Sequence, residues 1–196
     1  MDVSTQLTLR FRPGLRLTDK AFMRLCQANP ELRLERTAFG ELEIMTPATS
    51  GTGGRNANLT ASLVQWAKAD GTGLCFDSSA GFTLPNGAIR SPDASWIARD
   101  NWEALSPEER AGFAQISPDF VAELRSPTDK RYRLRTKMQE YIDQGTRLGW
   151  LIDPMNETVE VYRSGKPVET LKRPMTLSGK DVLRGFTLDL SGILYD

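Results

Sequence analysis

Residues 118–153 read PDFVAELRSPTDKRYRLRTKMQEYIDQGTRLGWLID. The stretch opens on Pro118 and passes through the apolar segment Phe120-Val121-Ala122-Glu123-Leu124, which reads as a strand. Ser126-Pro127-Thr128-Asp129 follows, and these residue types cap helices. From Thr128 to Gln144 the apolar side chains Leu134, Met138, Tyr141 and Ile142 recur at helical spacing, and Gly145 ends the pattern. Leu148-Gly149-Trp150-Leu151-Ile152-Asp153 then reads as a buried strand. A helix placed so soon after a strand packs back on the sheet. The stretch therefore predicts an α/β (α+β) chain built on one mixed sheet.

Working outward, Ser91–Ala98 is an apolar strand that carries Asp93, with short strands expected at Leu74–Phe76 and Gly81–Leu84. Pro85-Asn86-Gly87 marks a turn between Gly81–Leu84 and the strand that carries Asp93. Ser106-Pro107-Glu108-Glu109 starts a short helix. Further upstream, residues 18–29 read as a helix capped by Thr18 and ended by Asn29-Pro30. Residues 32–37 and 41–45 alternate apolar and polar around Phe39-Gly40, a hairpin signal. Thr46–Gly54 reads as a flexible Gly-rich loop before a helix from about Arg55 to Lys68, without the Gly-Lys-Ser/Thr of a P-loop. After Asp153, a Pro154 turn leads to the strand Val159–Arg163 and short C-terminal strands. One domain over 1–196 is expected: helix and hairpin at about 17–47, core at about 55–163, terminal strands at 164–196.

Composition excludes several chemistries. The chain has no histidine, which removes Ser-His-Asp and Cys-His catalysis and imidazole-ligated zinc. Cys26 and Cys75 are isolated and read as reduced thiols. No apolar run approaches the ~20 residues of a membrane span, and Met1–Gln6 shows no export signal, so a cytoplasmic protein with no membrane partner is expected. The formal net charge is zero, which argues against tight non-specific DNA binding but leaves room for a local basic face.

Two carboxylates, Asp93 and Glu123, interrupt apolar strands. An unpaired charge is costly to bury, and a shared divalent cation such as Mg²⁺ would hold both. Strand alternation puts Val121, Glu123 and Arg125 on one face and Phe120, Ala122 and Leu124 on the other. Lys137 borders the apolar face of the following helix and can reach toward Glu123, where it would polarise or deprotonate an attacking water. The plainer readings are a turn-capping Asp93, a Glu123 paired with Arg125, and a Lys137 that snorkels to solvent. Lys130, Arg131, Arg133 and Arg135 form a basic cluster on the same helix, suited to a phosphate backbone or simply to water.

Taken together, Gly40–Pro47, Arg90–Trp96, Pro118–Pro127, Lys137–Tyr141 and Gly149–Pro154, with Asn29–Arg36, resemble the Uma2 family of restriction-endonuclease-like proteins, in the PD-(D/E)XK superfamily. The resemblance covers roughly Leu17 to Arg163 and implies a restriction-endonuclease-like core, a central mixed sheet flanked by helices. It implies that Asp93 and Glu123 hold Mg²⁺, for which Mn²⁺ can substitute, together with the carbonyl of Leu124. The superfamily's lysine normally lies two residues after the second acid, where this chain has Arg125. The family pattern moves that role to Lys137, with Arg125, Lys130 and Arg133 on phosphate oxygens. Relatives often carry an acid near Asn58; its absence here leaves Glu35, Glu41 or Glu43 as substitutes. The implied activity is Mg²⁺-dependent endonucleolytic hydrolysis of DNA. The alternative is a weak or inactive nuclease-fold module that binds nucleic acid or protein. Trp150, Leu151 and Ile152 near a sheet edge, with apolar Gly192–Tyr195, predict a homodimer.

Overall fold

A computed structural model describes residues 6–11 and 16–195. Met1–Thr5, from which most of the reading of the amino terminus comes, lie outside the described residues. In chain order the first elements are β1 (Gln6–Leu9), α1 (Asp19–Ala28), β2 (Arg33–Arg36), β3 (Leu42–Met45), α2 (Ser50–Asp70) and β4 (Gly73–Asp77). Next come β5 (Phe82–Thr83), β6 (Ile89–Arg90), β7 (Ala94–Ala98), α3 (Arg99–Glu103), α4 (Pro107–Ala111) and β8 (Phe120–Leu124). The chain continues with α5 (Arg131–Asp143), β9 (Leu148–Asp153), β10 (Thr158–Arg163), β11 (Glu169–Lys172), β12 (Thr176–Ser178) and β13 (Thr187–Asp189).

The central sheet has six strands in the order β11-β10-β9-β8-β7-β4. Only β8 and β9 run parallel, from Phe120↔Leu148 to Leu124↔Ile152, because α5 carries the chain back across the sheet between them. The other neighbours are antiparallel, so the sheet is mixed as expected. A second sheet, β1-β3-β2-β6-β5, is entirely antiparallel and incorporates the expected hairpin of β2 and β3. Gly40 closes that hairpin at φ +80°, a conformation that costs glycine little. The single mixed sheet of the sequence reading is thus two sheets and a small β12–β13 pair.

Alternation along β8 assigns the two faces of the central sheet. Phe120, Ala122 and Leu124 join Leu59, Leu63 and Ala67 of α2, with Trp150 and Ile152, in the largest core cluster. Val121 faces the other way and packs with Met138 and Tyr141 of α5, Leu151 and Tyr162. Glu123 shares that second face, which is how a carboxylate comes to lie under a helix.

Three expectations change. First, α2 starts at Ser50 and not near Arg55, because the Thr49 hydroxyl caps it by accepting from Thr52 N. The Gly-rich segment is therefore the first turn of the helix. Arg55 donates to the Ile193 carbonyl at 2.8 Å, tying this region to the C-terminal segment. Second, Ser126–Asp129 is a turn, held by Asp129 Oδ2 accepting from Ser126 N and Oγ, and α5 begins only at Arg131. Third, β9 lies between β8 and β10, and Trp150, Leu151 and Ile152 are fully buried. Ile193 and Leu194 are buried in the same core. The residues that motivated a homodimer are thus covered within one chain, and that argument loses its basis.

Glu160 on β10 provides a test of the core's polar border. It accepts from Arg131 and Arg135 of α5 and from the Tyr162 hydroxyl, at 2.7, 2.5 and 2.8 Å. Burial pushes its pKa up, but these hydrogen bonds outweigh burial and hold it below the ordinary 4.5. A carboxyl depressed in the folded state contributes stability above its unfolded pKa and loses it as pH falls through the folded value. Glu160→Gln is expected to cost about 1–2 kcal/mol at pH 7. Melting temperatures measured from pH 7 to pH 3 should fall less steeply below 4.5 in the variant than in the wild type.

Candidate functional site

Lys137 connects the two sheets. Its Nζ lies 2.9 Å from Glu35 Oε1 on β2 of the second sheet and 2.8 Å from Glu123 Oε1 on β8 of the central sheet. The lysine side chain is 13% exposed, and its partners 1% and 5%. Tyr141, one helical turn beyond Lys137, donates its hydroxyl to Glu123 Oε1 at 3.1 Å. The Ser91 amide donates to Glu35 Oε1 at 2.9 Å. Lys137 does not snorkel, and Glu123 does not pair with Arg125.

A second cation lies beside the first. Glu35 and Glu43 stand directly opposite each other on β2 and β3, an unfavourable pairing for like charges. Arg90 of β6 resolves it: Nη1 contacts Glu35 Oε2 at 3.1 Å and also Glu43 Oε2, while Nε donates to Glu140 Oε2 of α5 at 2.7 Å. Asn86 adds a hydrogen bond to Glu140 Oε1 at 3.0 Å.

Asp93 immediately precedes β7, and its Oδ2 accepts from the Leu124 amide at 2.9 Å. That bond brings Asp93 to the carboxyl end of β8, next to Glu123. Arg33 Nη2 donates to the Ser91 carbonyl at 3.0 Å and lies 3.6 Å from Asp93 Oδ1. Asp93, Glu123, Leu124 and Lys137 all line one cavity of about 1110 Å³, roughly the upper limit for a small-molecule pocket.

The electrostatics separate the acids. Burial pushes Glu123 up to about 7, with Lys137 opposing the shift and Asp93 and Glu35 adding to it. Burial also raises Asp93, against Arg33 and the Leu124 amide. Glu35 is buried as well, yet Lys137 and Arg90 more than reverse that effect and hold it below the ordinary range. Burial alone would lower the Lys137 pKa, but Glu123 and Glu35 reverse it and raise it above the ordinary range. At neutral pH Lys137 is an ammonium.

The remaining sequence candidates divide. Arg133 lines the cavity. Arg125 does not: its Nη1 donates to both Asp153 oxygens, at 3.2 and 3.0 Å, and its Nε to the Asp129 carbonyl. Lys130 is exposed just before α5 and also lies off the cavity wall. Arg131 and Arg135 are held by Glu160. Asn58 donates to the Gly192 carbonyl at 3.0 Å and is outside the cavity, so the missing acid at that position leaves no gap in its wall. Glu35, one of the three substitutes considered from the sequence, is the acid that reaches Lys137. Arg90, Glu140 and Tyr141 had no site role in the sequence reading, although all three lie within the quoted stretches Arg90–Trp96 and Lys137–Tyr141. Arg33 also lines the cavity, and its Nε is buried with no hydrogen-bond partner.

Asp93 before β7, Glu123 on β8 and Lys137 on α5 thus meet at the carboxyl end of β8. The profile of the Uma2 family, described as "putative restriction endonuclease", matches residues 19–191, and the chain belongs to that family. The fold matches a crystal structure described as a putative nuclease belonging to DUF820 from Anabaena variabilis, with a TM-score of 0.69. The two are 21% identical, and the match covers 84% of this chain and 90% of the other. No functionally curated protein matches the chain significantly. Among the described residues no helix is long and apolar enough to cross a membrane.

Removing the Lys137 ammonium tests the centre of the network. Lys137→Met leaves Glu35 and Glu123 without their shared partner, and breaking a buried pair this way costs about 3–5 kcal/mol. Without the lysine, Glu123 rises further above its unfolded value of 4.5. An acid raised in the folded state keeps its stability only at low pH and loses it as pH climbs through the folded value. Urea denaturation at pH 5 and pH 8 should therefore show a larger deficit at pH 8.

Proposed function

We propose that this protein is a Mg²⁺-dependent endonuclease that hydrolyses phosphodiester bonds in DNA. The observation that carries the reading is the convergence of Asp93, Glu123 and Lys137 on one cavity wall, in a chain of the Uma2 family.

The residues fit a hard cation of modest demands. Asp93 and Glu123 are neighbouring acids whose charged forms are disfavoured by burial and, for Glu123, by the other acid. Asp93 and Glu123 would each keep their charge more readily if they shared a cation. Both described contacts of Glu123 fall on Oε1, and among the described residues Asp93 Oδ1 has only the Arg33 approach at 3.6 Å. No cluster of three or more acidic or cysteine side chains forms a candidate metal cage among the described residues. Two carboxylates, the Leu124 carbonyl and solvent are the kind of lean ligand set that Mg²⁺ accepts, because it keeps several waters. When bound, Mg²⁺ supplies a water activated for attack and offsets charge on the phosphate.

The chain's own residues then divide the work. Asp93 and Glu123 hold the ion. Lys137, as an ammonium, donates to the phosphate or the attacking water and offsets developing charge; it does not take the proton. Glu35 and Tyr141 fix the lysine and Glu123 in place through the hydrogen bonds described above. Arg33, with a half-exposed side chain and an unpartnered buried Nε, takes the phosphate-binding role that the sequence reading gave to Arg125.

A second reading, a nuclease-fold module that binds without cutting, draws support from Lys137, which already neutralises both Glu35 and Glu123 without a metal. Plasmid cleavage separates the two. Supercoiled DNA should be nicked with Mg²⁺ or Mn²⁺ and not with EDTA. Asp93→Asn and Glu123→Gln, which preserve shape, should each lose on the order of a hundredfold or more in rate. Mn²⁺ should raise the melting temperature of the wild type but not of a folded Asp93→Asn variant. A metal-stabilised wild type that cuts no DNA would favour the binding module.

A further inference from the structure

The cavity's outer wall has a chemistry that hydrolysis alone does not require. Phe39 is 75% exposed and Tyr132 is 62% exposed, and among the described residues they are the only large aromatics left exposed. Both line the cavity that holds Asp93 and Glu123. The other described aromatic rings are at least partly buried, and several stack on one another, as Trp66, Trp96, Trp150 and Phe186 do.

Both rings stand on hydrogen-bonded backbone. Phe39 is at the tip of the β2–β3 hairpin, where Thr37 N donates to the Glu41 carbonyl at 2.9 Å and Gly40 N to the Thr37 carbonyl at 2.9 Å. Tyr132 is in the first turn of α5, with its hydroxyl accepting from Arg133 Nε at 3.4 Å. Backbone held this way has little freedom left to lose when a ligand stacks on the ring it carries.

The charge on the wall points in the same direction. Acidic residues lining the cavity outnumber basic ones, and Arg90 and Lys137 are already paired with acids. Duplex DNA is held mainly by cations matched to two phosphate backbones. Here Arg10, Arg33 and Arg133 are the cavity-lining cations not tied to the Glu35 network, and Arg10 is paired with Glu41 at 3.1 Å. Apolar Ala38, Met45, Pro47 and Leu134 fill much of the remaining wall. Such a surface suits a single strand, whose unpaired bases stack on aromatic rings.

We propose that the cavity takes unpaired DNA, with bases flanking the scissile phosphate stacked on Phe39 and Tyr132 and a phosphate on Arg33. The proposal rests on the nuclease reading for the position of that phosphate, but not for the stacking.

Fluorescence anisotropy with labelled single-stranded, duplex and 5′-flap oligonucleotides of the same sequence, in EDTA and again in Ca²⁺, tests it directly. The single-stranded and flap probes should bind at least about tenfold tighter than the duplex. Phe39→Ala and Tyr132→Ala should each weaken single-strand binding by roughly five- to a hundredfold, the range for losing one base–aromatic stack. Phe39→Trp should restore affinity, which a purely structural role for Phe39 would not. Both positions are exposed, so unchanged melting temperatures will show that the variants fold. Equal or tighter duplex binding, or alanine variants with wild-type single-strand affinity, overturns the proposal. Aromatic-dependent single-strand binding by a protein that cuts nothing sustains it while rejecting the nuclease. Duplex cleavage at wild-type rate by the Phe39→Ala/Tyr132→Ala double variant rejects it and leaves the nuclease standing.

Discussion

The ammonium of Lys137 is the constraint around which this fold is arranged. Two acids, one from each sheet, sit almost wholly out of water within 3 Å of it. Neither acid could be buried there charged without a cation, and neither sheet could approach the other at that edge without the acids neutralised. Backbone hydrogen bonds hold each sheet together internally, but they do not run between sheets. At this edge the joint between the sheets is made by side-chain charge, delivered by α5.

Arg90 extends the same logic. It satisfies three carboxylates from β2, β3 and α5 and so clamps the hairpin to the helix that carries Lys137. The consequence is a set of side chains with little freedom to rearrange, which a catalytic or binding centre requires. It also means that local stability and chemistry share residues. A charge-deleting substitution here reports on folding as much as on function, and shape-preserving changes at the cavity-facing acids are the cleaner probes.

How much of this was legible in the sequence depended on whether the cause was local. The strand at Phe120–Leu124, the helix carrying Lys137 and the strand at Leu148–Asp153 follow from periodicity and capping, and all three were visible. Alternation correctly put Glu123 and Val121 on the face opposite Phe120 and Leu124. Glu35 was legible only as a residue of a hairpin and one of three substitute acids, because Lys137, which covers it, lies 102 residues away in sequence. The start of α2 was missed because its three glycines argue against a helix locally, while the Thr49 cap and the contact with the C-terminal segment are what sustain it. Arg125 looked available because its partner, Asp153, is 28 residues away in sequence and adjacent only through the parallel pairing of β8 with β9. The sheet-edge argument for a dimer failed for the same reason: strand order is a long-range property.

The balance of charge in the cavity has a further consequence for the order of events at the site. With Arg90 and Lys137 committed to acids, the wall is more anionic than a phosphate chain can approach at no cost. Under the proposed function, Asp93 and Glu123 would hold a divalent cation, whose charge would lower that cost for the scissile phosphate. Stacking on Phe39 and Tyr132, being insensitive to charge, would hold a strand at the rim in the meantime. A protein of zero net charge could then act on DNA by dividing recognition between rings that bind bases and a small cationic centre that binds one phosphate. On this account salt should weaken binding far less than it does for proteins that grip the duplex backbone, because few counterions are released.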